Sequence, residues 1–354
     1  MRAASLYQGR IQVRSIKDPI PGPGEILVRS RACGICASDI HFMDHPEGDA
    51  DDDSGLSCYD AEQDVVMGHE FCAEIVDYGP DTQRKWAKGT RVSSIPLLAR
   101  SKNRRIIGYS PDAPGAFGEY FLITETLAQR VEGDLPDDLV ALSDAMAVGW
   151  SYVRRAAVQA TEIPLVIGCG AIGLSAIAAL KYRNIGPILA ADFVKSRRAT
   201  ALAMGADIVV DPAEISAFKA WSDIANASAA DTRGMVGQVL PARGCVVFEC
   251  VGVPGVLNSI VRSCPRDTRI FSAGGSPAGE HLHTMTAKRK GLNMQFGGGP
   301  SMEDWNSTLR EVCSGRLDVA PMSGRIVGLD EMPQAINDAR DAKGPARIVL
   351  IPSK

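Results

Sequence analysis

Short apolar runs broken by turn residues fill the first 145 positions of the chain, where GEILVRSRA (24–32) and RVSSIPL (91–97) read as strands and PIPGPG (19–24) as a Pro/Gly turn. From about 146 to 295 the rhythm changes. PLVIG, PILAAD, GCVVFEC and RIFSAGG are apolar runs of strand length, and AIGLSAIAALKYRN and KSRRATALAMGA between them carry helical patterning. Strand and helix in alternation predict a doubly wound parallel sheet, so the fold class is α/β. The tail is mixed, with helices expected at MEDWNSTLREVCSG (302–315) and DEMPQAINDARDA (330–342) and a last strand at ARIVLIP (346–352). At 354 residues the chain exceeds what one core usually covers. We therefore expect a first part over 1–145, a second domain over 146–295, and a return to the first over 296–354.

Charge narrows the partners. The net charge is -4 and Lys and Arg form no long run, which argues against nucleic acid. MRAASLYQGRIQVR lacks the apolar core of a signal peptide, and the nine cysteines show no framework spacing, so a reducing cytoplasm is expected. The most apolar stretch, PLVIGCGAIGLSAIAAL (164–180), is short for a membrane span and carries three glycines, so no membrane partner is expected. One biased segment, MDHPEGDADDDSGLSCYDAEQD (43–64), is acidic and turn-rich and reads as a solvated or disordered loop.

In that apolar stretch, Gly168, Gly170 and Gly173 form GxGxxG between a strand and a helix opened by Ala171 and Ile172. Glycines there permit a tight turn, backbone approach to a pyrophosphate and close helix packing, while the helix N-terminus offers amides to the phosphate charge. Asp192 ends the next strand, where a carboxylate can accept hydrogen bonds from both ribose hydroxyls and would repel a 2'-phosphate, so NAD is favoured over NADP. Arg197 or Arg198 could instead reach such a phosphate, or pack over the adenine.

A second set of residues has metal chemistry. ACGICASDIH (32–41), VVMGHEF (65–71) and DAMAVG (144–149) offer thiolate, imidazole and carboxylate, the zinc donor types. A catalytic zinc needs three such ligands and an open position, which Cys36, His69 and either Asp144 or Glu70 could supply. Taken alone, Cys36 or His69 would read as a packed core residue. The CxxC has neither the thioredoxin-type context nor the second CxxC of a zinc ribbon.

In order and spacing, CGICASDIH, GHEF, DAMAVG and GCGAIG resemble the zinc-dependent medium-chain dehydrogenases, the alcohol, sorbitol and threonine dehydrogenase superfamily, over nearly the whole chain. The resemblance implies a mainly β, GroES-like catalytic domain in two pieces around a Rossmann domain. It implies Cys36 as a zinc ligand with Cys33 structural, His69 as the second ligand, Glu70 as a carboxylate able to approach or leave the metal, and Asp144 at the third ligand position. Asp39 falls on the carboxylate that orients the ligand imidazole. Ser38 and His41 fall on a proton relay that runs through a cofactor ribose hydroxyl to solvent. Zinc would act as a Lewis acid while hydride passes between an alcohol and NAD. The small-molecule partner is then an alcohol or ketone, and the protein a homo-oligomer, dimer or tetramer. A zinc-independent quinone or enone reductase on the same fold and a non-catalytic NAD-binding redox module are the alternatives.

Departures from the family pattern carry information too. Relatives with a structural zinc hold it on four cysteines between about 90 and 115, and SSIPLLARSKNRRIIGYSPDAPG (93–115) has none, so one catalytic zinc per chain is expected. Ala37 replaces a basic residue that some relatives turn toward the cofactor phosphates, which makes Arg347 the expected contact there. The long acidic insert between His41 and His69 is expected near the pocket mouth, where it would disfavour anionic substrates. An acidic third-ligand position resembles the polyol and secondary-alcohol branches, so the expected substrate is a neutral secondary alcohol or its ketone.

Overall fold

Strand Glu25–Gly34 organises the first part of the chain. Ile26, Val28 and Ser30 are buried while Arg29 and Arg31 reach solvent, the period-2 pattern of a half-buried strand, and a register shift between Ser30 and Ala32 then brings Cys33 into the core of Ile26 and Val28. It pairs antiparallel with Glu70–Tyr78, Tyr120–Thr124 and Ile348–Leu350 inside a seven-stranded sheet. Phe71 and Phe121, from two of those partners, meet edge to face at 4.6 Å in the core. In this computed structural model residues 1–45, 54–100, 103–225, 243–275, 279–341 and 347–354 are described. They form two units, Met1–Asp144 with Trp305–Lys354, and Ala145–Asp304.

In the first unit the expected strand over 91–97 is two strands, Arg91–Ser94 and Leu97–Ala99. Pro96 lies between them and has no N–H to give a ladder. Leu97–Ala99 turns away to pair with Arg104–Ile106. Charges close this lobe. Arg100 reaches Glu25 at 2.7 Å and Asp112 at 3.1 Å, and Arg105 reaches the other Asp112 oxygen at 3.2 Å.

The second unit holds a six-stranded parallel sheet in the order Ile208–Val210, Leu189–Ala191, Glu162–Ile167, Gly244–Glu249, Arg269–Ser272, Asn293–Phe296. Strand order reverses about Glu162–Ile167, which is the doubly wound arrangement expected from the alternating pattern. Helices Ala171–Tyr182, Lys195–Ala203 and Ala217–Ile224 connect its strands. Trp221 is fully buried in that core, and its indole N–H donates to the Ile163 carbonyl at 3.2 Å. No helix among the described residues is long and apolar enough to cross a membrane.

Helix Ser143–Ala156 approaches helix Ala171–Tyr182 at Gly149, where a Cβ would lie 2.5 Å from the Ser175 Cβ. Gly149→Val should therefore destabilise the second unit by about 1–3 kcal/mol, measured by chemical denaturation. An unchanged midpoint would mean that the two helices separate without cost.

Candidate active site

Strand register brings the two chemical motifs together. Glu25–Gly34 and Glu70–Tyr78 pair so that Gly34 faces Glu70 and Cys33 faces Phe71, while on the other side Val349 faces Gly34. The chain leaves its strand at Gly34, and Cys36 then opens helix Ala37–Asp44. Asp39 sits in the first turn of that helix and is fully buried. Its Oδ2 accepts from the Cys36 amide at 2.9 Å, and its Oδ1 accepts from His69 Nδ1 at 3.1 Å. One carboxylate thus fixes both the cysteine turn and the imidazole, and leaves His69 Nε2 facing the site. Ser38 Oγ lies 3.2 Å from that nitrogen.

Donor atoms of Cys36, His69 and Glu70 all lie within 4.8 Å of one another, the set of this kind among the described residues. Burial pushes the Cys36 thiol up, but the hydrogen bond and charge of His69 outweigh it and hold the thiol below its ordinary value. Burial disfavours a charged His69, yet Tyr109, Asp39 and Cys36 together carry it well above the usual imidazole range. Cys33 is different. It is fully buried, its thiol is pushed far up by burial, and its Sγ points at the Gly34 carbonyl at 3.6 Å. Asp144 begins helix Ser143–Ala156 and stands outside the close trio. Burial raises its carboxyl to about 6, against the pull of His69.

Glu70 Oε2 is taken by an ion pair with Arg347, and both side chains are buried. Gly34 makes that pair possible, because a Cβ there would lie 2.6 Å from the Glu70 oxygen and 2.7 Å from the guanidinium. Glu70 Oε1 is buried without a hydrogen-bond partner. An unpartnered buried carboxylate oxygen, on a residue grouped with a thiol and an imidazole, makes a donor set that fits a zinc ion. Arg347, expected from sequence at the cofactor phosphates, is buried against Glu70, because its strand Ile348–Leu350 runs alongside Gly34.

Aromatic side chains form one wall. The Tyr109 ring meets His69 edge-on at 5.3 Å and stacks on Phe42 at 4.7 Å, and Tyr59 meets Phe42 edge-on at 6.4 Å. Tyr59 belongs to the acidic insert, as does Cys58, whose amide donates to the Tyr109 carbonyl at 3.0 Å. The described part of the insert therefore packs on the site wall; residues 46–53 lie outside the described residues. His41 is exposed on helix Ala37–Asp44.

In the second unit Gly168 adopts a left-handed φ of +93°, and a Cβ on Gly173 would sit 1.8 Å from the Gly168 carbonyl oxygen. A Cβ on Gly170, at the start of helix Ala171–Tyr182, would meet nothing within 4 Å. That open space borders the amides of Ala171 and Ile172, a ready place for phosphate. Asp192 accepts from the Cys169 amide and the Val194 amide, each at 2.8 Å, which holds its carboxylate beside the turn. Arg198 is committed to the Asp192 and Phe193 carbonyls and to Asp211. Arg197 keeps a buried Nε without a partner.

Sequence reading missed Tyr109, Phe42 and the role of Gly34. A basic residue heading an apolar strand, as Arg347 does, is a usable sign of a buried ion pair. Nothing local marks Tyr109.

The alcohol dehydrogenase GroES-like domain family matches residues 22–133, and the zinc-binding dehydrogenase family matches residues 171–314. The chain is 31% identical over 276 residues to (R,R)-butanediol dehydrogenase of Bacillus subtilis, covering 74% of each chain. It is 26% identical over 355 residues to the (R,R)-butanediol dehydrogenase of Neisseria gonorrhoeae, covering 94% of this chain and 93% of that one. The crystal structure of 2R,3R-butanediol dehydrogenase from Bacillus subtilis superposes with a TM-score of 0.80 over 99% of both chains at 23% identity. The protein belongs to the zinc-type medium-chain alcohol dehydrogenase superfamily, with a GroES-like domain and a Rossmann-type sheet.

Metal retention separates the two cysteines. Cys36→Ala and His69→Ala should lose zinc on dialysis, Cys33→Ala should keep it, and Asp39→Asn should weaken it roughly 10- to 100-fold by freeing the imidazole. Zinc lost from Cys33→Ala to the same extent as from Cys36→Ala would mean that the pair binds together.

Proposed function

We propose that the protein is an NAD-dependent dehydrogenase with one catalytic zinc, interconverting a neutral secondary alcohol, polyol-like or alicyclic, and its ketone. The observation that carries this reading is the close trio of Cys36, His69 and Glu70, with His69 oriented by Asp39. Cys36, His69 and one carboxylate, Glu70 or Asp144, would hold the metal. When bound, zinc supplies a Lewis acid that eases loss of the alcohol proton, and NAD supplies the hydride acceptor.

The chain's own residues do the rest. Asp39 keeps the His69 Nδ1 proton engaged, so Nε2 is the nitrogen offered to the metal. Ser38 Oγ stands beside that nitrogen and can accept the proton of the substrate hydroxyl as its own proton passes on toward solvent. His41 lies one helical turn further on, exposed, where its ring can hand the proton to water. Arg347 holds Glu70 by one oxygen and leaves the other without a partner. Ile35, Phe42 and Tyr109 keep this end of the site apolar, which strengthens charge interactions within it.

NAD is favoured over NADP because Asp192 is fixed at the glycine turn and Arg198 is already committed. The aromatic wall of Tyr109, Phe42 and Tyr59 carries no charge and suits a neutral alcohol. Relatives named for butanediol support the same substrate class.

Steady-state kinetics of zinc-loaded protein on a panel of secondary alcohols, with NAD and with NADP, tests the reading. NAD should give the higher kcat/KM, and Asp192→Gly should narrow the preference by removing the carboxylate that repels a 2'-phosphate. A native preference for NADP would assign Arg197 to that phosphate. No turnover of any alcohol by fully loaded protein would overturn the reading.

A further inference from the structure

Glu249 is the one charged residue of strand Gly244–Glu249, and it is only 2% exposed. It has no part in the metal site. Parallel register sets it between Ile167, the last residue before the glycine turn, and Ser272 of the next strand. The partners of its carboxylate among the described residues are all neutral. Oε1 accepts from the Val251 and Gly252 amides at 2.8 and 2.9 Å, and Oε2 accepts from the Ser272 hydroxyl at 2.7 Å. Its main-chain carbonyl accepts from the Ala273 and Gly274 amides at 2.8 and 3.2 Å. One residue thus ties the turn after its own strand to the turn after its neighbour.

These turns meet backbone to backbone. A Cβ on Gly274 would lie 2.3 Å from the Gly252 nitrogen and 2.8 Å from Glu249 Oε1, and a Cβ on Gly168 would lie 2.9 Å from the Cys250 carbonyl oxygen. The glycine turn, residues 250–252 and residues 272–274 therefore form one layer across the C-terminal ends of three adjacent strands. Strand order reverses between Glu162–Ile167 and Gly244–Glu249, and doubly wound sheets take their ligands outside the carboxyl ends of the strands at such a reversal. Core packing does not call for the arrangement, since Val251 and Val253, on and just after the held turn, are exposed. A carboxylate buried without a cation gives up its hydration for three fixed donors, and an exposed turn offers little stability in return.

We propose that Glu249 is a positioning residue for the dinucleotide, its carboxylate holding the turns after two strands in the shape that the cofactor meets. The proposal rests on the NAD reading above. Without the carboxylate these turns must be ordered when the cofactor binds, and that cost appears as lost affinity for NAD and NADH alike. Glu249 takes no part in the hydride or proton steps, so kcat at saturating cofactor stays near native.

Fluorescence titration of NADH into zinc-loaded protein reads the effect without turnover. Glu249→Ala should weaken NADH binding roughly tenfold, raise the KM for NAD by a similar factor, and leave kcat and zinc content near native. Glu249→Gln keeps one acceptor for the two amides and should recover most of the affinity. Ser272→Ala removes a single donor and should weaken NADH binding about two- to threefold. Trp221→Phe loses the indole hydrogen bond to Ile163 in the core of the same unit and serves as the control for plain destabilisation. Its denaturation midpoint should fall while its NADH affinity holds. Native NADH affinity in Glu249→Ala, or in Ser272→Ala should the first variant not fold, would overturn the proposal, and so would an equal loss of affinity in Trp221→Phe. A loss confined to NAD, or as deep in Glu249→Gln as in Glu249→Ala, would mean that the cofactor reads the charge and not the turns, and would overturn it too. Failure of the underlying reading shows differently, as native protein that binds no NADH.

Discussion

The pairing of Glu25–Gly34 with Glu70–Tyr78 is the constraint from which the site follows. It fixes which residue of the cysteine motif stands next to which residue of the histidine motif. A slip of one residue would turn every side chain to the opposite face, taking Glu70 away from Gly34 and placing Phe71 in its stead. The register is held from both faces. Ile26, Val28 and Cys33 of the first strand lie in an apolar core with Phe71, Ile75 and Phe121, and Arg29 and Arg31 meet Glu74 on the outside. A third strand, Ile348–Leu350, closes the other edge and carries Arg347 to Glu70 across the space that Gly34 leaves empty.

Burying an ion pair of this kind is seldom a gain in stability, because both charges surrender their hydration. Here the pair fixes Glu70, whose other oxygen is buried without a hydrogen-bond partner and whose carboxylate groups with a thiol and an imidazole. That is preorganisation of donors, with part of the cost met by the apolar packing around it. Asp39 does the corresponding work for His69, and it does so from the first turn of the helix that Cys36 opens. The positions of the donor set are thus fixed by two carboxylates, each locked by the backbone or by a buried arginine.

Much of this was legible in the sequence, for a reason specific to each part. The glycine turn, its helix and Asp192 are contiguous, so spacing alone carries them, and the parallel sheet of the second unit follows from the alternation of apolar runs and helical patterns. Cys36, Asp39 and His69 were legible as donor types and by resemblance. Residues whose role depends on strands meeting from distant parts of the chain were not. Glu70 was expected as a carboxylate near the metal, but its pairing with Arg347, 277 positions away, was not, and neither was the meeting of Tyr109 with His69 and Phe42. The single strand expected at 91–97 broke at Pro96, a local signal that the apolar run concealed.

X-ray absorption at the zinc edge of the loaded protein tests the central claim most directly, since it counts sulfur ligands without altering any residue. Register and burial leave Cys36 as the one thiol facing the donor set, so the account predicts a single Zn–S scatterer at about 2.3 Å with nitrogen and oxygen filling the remaining positions. Two sulfur ligands would bring Cys33 into the coordination shell and contradict the strand register on which the site is built.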